Sequence, residues 1–136
     1  MAKKKTVIQK TGKRKRAIAR AVLKPGTGEI IINNRPLNSI QPEKLKLLME
    51  EPLIVAEADF KNIDITVNVK GGGVFGQASA VRQAIARALV ENNKTLKEKF
   101  LSYDRTLLVA DARRTEMHKP SRSSAGPRRH KQRSKR

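Results

Sequence analysis

Residues 63–70 read Ile-Asp-Ile-Thr-Val-Asn-Val-Lys, with a β-branched aliphatic at every odd position and a polar side chain at every even one, and Gly71-Gly72-Gly73 ends the run. A period of two is the pattern of a β-strand with one buried and one wet face. The period then changes. Over residues 74–91, Val74, Ala78, Val81, Ile85, Ala88 and Leu89 fall on one helical stripe, while Gln77, Arg82, Gln83 and Arg87 take the other side. A half-wet strand, a glycine stop and a long amphipathic helix in succession predict a sheet carrying a helix on its apolar face. The expected class is α+β, a two-layer sandwich.

The flanking segments fit that class. Residues 17–24 alternate loosely between apolar and basic, Pro25-Gly26-Thr27-Gly28 breaks them, and Ile30, Ile31 and Ile32 follow, a pattern that predicts a β-hairpin. Asn33-Asn34-Arg35-Pro36 is a second turn. Pro42 suits the first turn of a helix, with Glu43 at its positive end and Leu45, Leu47, Leu48 and Met49 as apolar content. Glu51-Pro52 should interrupt this helix, and residues 53–56 give a short apolar stretch that is helix or strand, with helix favoured. After the polar stop Asn92-Asn93, residues 94–103 repeat a helical pattern through Leu96, Phe100 and Tyr103, and residues 106–110 are the last apolar segment. Three or four strands and two main helices are expected, with Phe60, Phe75, Phe100 and Tyr103 in the core.

Charge divides the chain differently. Of 31 Lys and Arg residues, 17 lie in the first and last twenty positions, which hold no Asp or Glu, whereas residues 21–116 carry 14 basic and 12 acidic residues. This separates a basic N-terminal segment (1–16), a globular α+β domain (17–111) and an extended basic C-terminal tail (112–136). Pro120, Ser121, Ser123, Ser124, Gly126 and Pro127 punctuate the tail. Its few apolar groups cannot offset an ordering cost of about 1–2 kcal/mol per residue, so disorder is expected free in solution. Extended at ~3.3–3.6 Å per residue, its last twenty residues would reach on the order of 65–70 Å.

Several functions are disfavoured. The chain has no Cys, and both His residues, His118 and His130, lie in the basic tail, so neither a thiol nucleophile nor a metal site is expected. No apolar run is long enough to span a membrane, the start MAKKK lacks a signal's apolar region, and Met117, Pro120, Ala125 and Pro127 form no amphipathic face. A cytoplasmic protein is expected. Gly71-Gly72-Gly73-Val74-Phe75-Gly76 satisfies G-x-G-x-x-G between a strand and a helix, but Glu91 falls on the same helix rather than after a following strand, and the core is too small for a dinucleotide fold. Neither a cofactor nor a small-molecule substrate follows. What the loop retains is backbone N–H groups at a helix start, suited equally to a tight turn or to a phosphate. The carboxylates Glu29, Glu43, Glu50, Glu51, Glu57, Asp59, Asp64, Glu91 and Glu98 read as surface solubility, and no catalytic set is found.

Cationic arms on a near-neutral body fit a polyanion, because each Lys or Arg that meets a phosphate releases a counterion. Lys10, Lys13, Arg14, Lys15, Arg16 and Arg20 border the first expected strand, Arg113 and Arg114 begin the tail, and Arg128, Arg129, Lys131, Arg133, Lys135 and Arg136 end it. The arginine content favours RNA, since a guanidinium grips phosphate in two-point fashion and stacks on unpaired bases. Few aromatics are available for stacking. Recognition by shape and phosphate is expected.

Thr11-Gly12-Lys13-Arg14-Lys15, Val69-Lys70-Gly71-Gly72-Gly73, Gly76-Gln77-Ala78, Ile85-Ala86-Arg87-Ala88-Leu89, Tyr103-Asp104-Arg105 and the closing Ser134-Lys135-Arg136 resemble, in this order, the family of the ninth universal small-subunit ribosomal protein, in its archaeal form. The resemblance implies a split β-α-β domain like the second domain of ribosomal protein S5, seated on ribosomal RNA in the subunit head beside other ribosomal proteins. It implies ribosomal RNA contacts from Lys10 to Arg20, from Lys70 with Gly71, Gly72 and Gly73, from Arg113 and Arg114, and along the tail. It implies that Ser134, Lys135 and Arg136 approach peptidyl-site tRNA. One departure is Arg16, where the family usually has Ser or Thr; an added phosphate contact is the expectation there. Two other classes of function stay open on the residues alone: a free-standing nucleic-acid chaperone using the same arms, which moderate salt would release from ribosomes, and a nucleotide-binding enzyme on the glycine loop.

Overall fold

The computed structural model describes residues 7–117, in the order β1 (Ile8–Arg14), β2 (Ala17–Pro25), β3 (Ile30–Ile32), β4 (Arg35–Pro36), α1 (Glu43–Ala56), β5 (Ile63–Lys70), α2 (Val74–Asn92) and α3 (Leu96–Tyr103). The strands form one mixed sheet in the order β1-β2-β5-β3-β4. β5 runs antiparallel to β2 and parallel to β3, so β3, α1 and β5 make the β-α-β core. Helices cover one face of the sheet: Ala17, Ala19, Ala21 and Leu23 of β2 and Ile65, Val67 and Val69 of β5 are buried beneath them. The opposite face is open, and exposed Lys13, Arg20 and Lys70 lie on it.

Strand β1 is an element that the expected first strand at residue 17 leaves out. Its alternation is masked by Lys10, Lys13 and Arg14, but Ile8, Lys10 and Gly12 stand opposite Leu23, Ala21 and Ala19, and the strand closes a hairpin through Lys15-Arg16. Gly12 is the key position. A methyl group there would overlap the Ala80 carbonyl oxygen and come within 2.6 Å of the Ala84 backbone nitrogen, because the α2 backbone lies directly on β1. Five alanines, Ala78, Ala80, Ala84, Ala86 and Ala88, are fully buried and leave α2 thin enough to be packed on several sides. Gln83, expected on the wet side, is therefore buried, and Arg82 and Arg87 are half-buried. Conversely Val74, Phe75 and Tyr103, expected in the core, are exposed, the first two in the first turn of α2 and the third at the last residue of α3.

The expected hairpin between β2 and β3 does not form, because β5 inserts between the two strands. The Pro25–Gly28 break instead carries the chain over the end of β5. There the Asp64 carboxylate accepts from the backbone N–H groups of Thr27, Gly28 and Glu29 at 2.7, 3.0 and 3.1 Å, and Gly26 N–H donates to the Asn62 carbonyl. β3 instead forms its hairpin with β4, closed by Asn33 and Asn34, both at positive φ. Pro42 sits one residue before α1, and Pro52 lies inside that helix rather than ending it. Proline removes one N–H from the ladder, but Leu53 and Ala56 beyond it are buried, and their burial carries the helix on.

Asp64 is thus a structural acceptor rather than a solubility group. The N–H groups of Glu29 and Thr27, ahead of a smaller opposing effect of desolvation, hold its pKa below the ordinary 3.8. A carboxylate whose folded pKa is depressed stabilises the protein above its unfolded value, and that contribution is lost as pH falls through the lower folded value. Thermal melts should therefore show stability declining below about pH 4. Asp64→Asn should melt lower at pH 7 and show a shallower acid decline. Equal melting curves for the two proteins across this range would remove the role given to Asp64.

Candidate nucleic-acid interface

Three segments distant in sequence meet at one end of the sheet. The first is the β1-β2 turn, where Lys15 adopts φ 53° and both Lys15 and Arg16 are exposed. The second is the glycine loop. Gly71 and Gly72 have φ of 80° and 67°, and a side chain at Gly71 would come within 2.6 Å of the Arg16 carbonyl oxygen, so only glycine lets the loop lie against this turn. Lys70 precedes it, in register with Ile18. Gly73 then caps α2 without a side-chain bond, and the first helical bond is Gln77 N–H to the Gly73 carbonyl at 2.9 Å. The N–H groups ahead of Gln77 are free of intrahelical partners and lie at the positive end of a 19-residue helix.

The third segment is the start of the C-terminal arm, which a chain of partly buried polar contacts delivers. Arg82 of α2 binds Glu51 of α1, Asp104 at 2.9 Å and the Thr106 hydroxyl at 3.1 Å. Burial opposes its charge, but the bonds to Glu51 and Asp104 raise its pKa, and Asp104 in turn is held low by Arg82 and by the Thr106 N–H. Tyr103 has its hydroxyl pKa raised by its own hydrogen bond to Glu51. Leu107 is fully buried just beyond, and the chain then turns toward β1. Asp111, with its side chain only 12% exposed, binds Arg14 and accepts from Arg113 at 2.7 and 3.1 Å, and the Arg114 guanidinium donates to the Lys15 carbonyl. The arm leaves the domain at the hairpin tip.

Of the residues singled out in the sequence, Arg14, Lys15, Arg16, Lys70, Gly71, Gly72, Gly73, Arg113 and Arg114 therefore gather at this end. Lys13 and Arg20 continue the positive surface onto the open sheet face. Lys10 is set apart, with its ammonium 3.2 Å from Glu91 near the far end of α2. Arg128, Arg129, Lys131, Arg133, Ser134, Lys135 and Arg136 lie outside the described residues. Sequence reasoning missed Asp111 as the joint between arm and domain, and Gly12 as the seat of α2, since both roles depend on partners about 70–100 positions away. It also missed Phe75, exposed beside the glycine loop with the Lys44 ammonium 5.8 Å from its ring centre.

The gathered groups suit an anion: exposed cations on a turn, bare N–H groups at a helix start, and an acid, Asp111, already engaged by arginines. Among the described residues no group of His, Cys, Asp and Glu is arranged to hold a metal ion. Comparison with known proteins places the chain in a family. A family model described as ribosomal protein S9/S16 matches residues 12–136. The small ribosomal subunit protein uS9 of Methanococcus maripaludis strain C7 is 53% identical over 130 residues, covering 94% of this chain and 97% of its own. Its counterpart in Methanococcus vannielii is 51% identical with the same coverage, and that of Methanothrix thermoacetophila is 49% identical over 115 residues, covering 83% and 87%.

Proposed function

We propose a role that starts from membership: the chain belongs to the ribosomal protein S9/S16 family, and it is a structural, non-enzymatic component of the small subunit of the cytoplasmic ribosome, of the archaeal type. Within the subunit head, the end of the sheet described above docks on ribosomal RNA through Lys13, Arg14, Lys15, Arg16, Arg20, Lys70, the N–H groups of the Gly71–Gly73 loop, Arg113 and Arg114. Lys10 adds a contact at the far end of β1. The tail continues through the RNA on Arg128, Arg129, Lys131 and Arg133, and Ser134, Lys135 and Arg136 meet the peptidyl-site tRNA.

One observation carries this reading: the arm is tied by Asp111 and Arg114 to the same turn that bears the exposed Lys15 and Arg16. The first cations of the arm, Arg113 and Arg114, are thus held beside those of the domain. The ordering of the tail is driven by phosphate neutralisation, once, during assembly.

Removing Lys135 and Arg136 tests the tip separately from the track. Subunits should assemble normally, but initiator tRNA should bind the peptidyl site about three- to tenfold more weakly, the scale of losing two phosphate contacts. Wild-type tRNA affinity and unchanged reading-frame maintenance in the truncated subunits would show that the tip does not meet tRNA.

A further inference from the structure

At the sheet edge remote from the basic track, a groove of about 670 Å³ opens between β3-β4 and the C-terminal half of α1. Its floor and wall are apolar: Leu37 is buried, Phe60 is partly buried, and Ile54 is 67% exposed, a large side chain left uncovered. Its charged lining is entirely acidic, Glu29, Glu50 and Glu57, with no Lys or Arg, in a chain of net charge +19. Glu50 is 3.6 Å from Lys46, while among the described residues Glu29 and Glu57 have no cation within ion-pair distance. An apolar trough lined by three carboxylates, two of them without an ion-pair partner among the described residues, repels RNA phosphates. It equally repels the same groove of a second copy. It complements a cationic segment that carries an apolar anchor.

We propose that this groove is a protein-docking site that takes a Lys- or Arg-bearing segment of a neighbouring polypeptide, with an aliphatic or aromatic side chain of that segment seated against Ile54 and Phe60. The chain's own C-terminal arm makes a poor occupant. The C-terminal arm beyond residue 116 offers only Met117, Pro120, Ala125 and Pro127 as apolar groups, and it leaves the domain at the opposite, cationic end. The molecule is thereby two-sided, with one edge built for polyphosphate and the other for basic polypeptide.

Photo-cross-linking in assembled small subunits tests this. Benzoylphenylalanine replaces Ile54 in one protein and Ile18, on the open basic sheet face, in another; both side chains are exposed, so neither swap disturbs the core. From position 54, the adduct should be a peptide bearing Lys or Arg within a few residues of the cross-linked apolar side chain, identified by mass spectrometry. Adding Glu29→Gln and Glu57→Gln should reduce its yield at least fivefold. An RNA adduct from position 54, a peptide without basic residues, no adduct, or a yield indifferent to the Glu substitutions would overturn the proposal. Position 18 reports on the other reading: it should yield RNA adducts, and their absence would count against the RNA-docking face without touching the groove.

Discussion

Gly12→Ala will destabilise the full-length protein by about 3 kcal/mol or more, a large part of the stability of a domain this size, as read by urea denaturation. The added methyl would meet the Ala80 carbonyl oxygen and the Ala84 nitrogen, main-chain atoms in the middle of a 19-residue helix, which cannot swing aside as a side-chain tip can. Relief requires lifting α2 from β1, and the buried alanines on that helix then lose their contacts together. Ordinarily alanine in a strand is more stable than glycine, so the sign here is diagnostic. Gly73→Ala is the matched control: nothing lies within 4 Å of a methyl group there, and the change should cost under about 1 kcal/mol. If the two variants unfolded at the same urea concentration, the direct seating of helix on strand would be wrong.

The second large effect is on RNA binding. Lys15→Gln, Arg16→Gln, Lys70→Gln and Arg113→Gln together should weaken binding to small-subunit ribosomal RNA about 100-fold near physiological salt, and should reduce the slope of log affinity against log salt by about 3–4. The four side chains are exposed, so melting temperature should hardly move. A control removes the same charge elsewhere: Lys24, Lys61, Lys94 and Lys97 are also exposed, and Lys24 lies at the opposite end of β2 from the hairpin tip. Neutralising these four should leave most of the slope in place. Equal losses in the two sets would mean that net charge, rather than the convergence of turn, glycine loop and arm, governs binding.

How far the sequence could be read depended on whether a residue's role was local. The alternation of 63–70 and the stripe of 74–91 each report on their own segment, and β5 and α2 form within a residue or two of the predicted limits. Pro25-Gly26-Thr27-Gly28 was legible as a break but not as a crossing, because nothing near it reveals that a strand forty residues later will enter the gap. β1 was hidden for a related reason: its inward positions are Ile8, Lys10 and Gly12, and a glycine that admits a helix backbone carries no hydrophobic signal. Arg82 and Glu51, ordinary surface charges by composition, become a partly buried joint only when three helical segments meet. For the binding surface, charge and the glycine loop identified most of the members. Their meeting point depended on Asp111, whose partner lies 97 positions away.

The late entry of β5 into the middle of the sheet also bears on how the protein is made. Until residue 70 has been synthesised, the β1-β2 and β3-β4 ribbons have no strand to join them, and two-stranded ribbons are marginal on their own. The domain therefore cannot close progressively from its N-terminus. It must wait for the central strand and then for α2, so its folding is governed by long-range pairing and is comparatively slow. During that interval a nascent chain with a cationic leader is exposed to every RNA nearby, and premature capture competes with closure. The arm is translated after the residues that form its anchoring turn, so the order of synthesis itself favours a finished body before the arm is available to thread RNA.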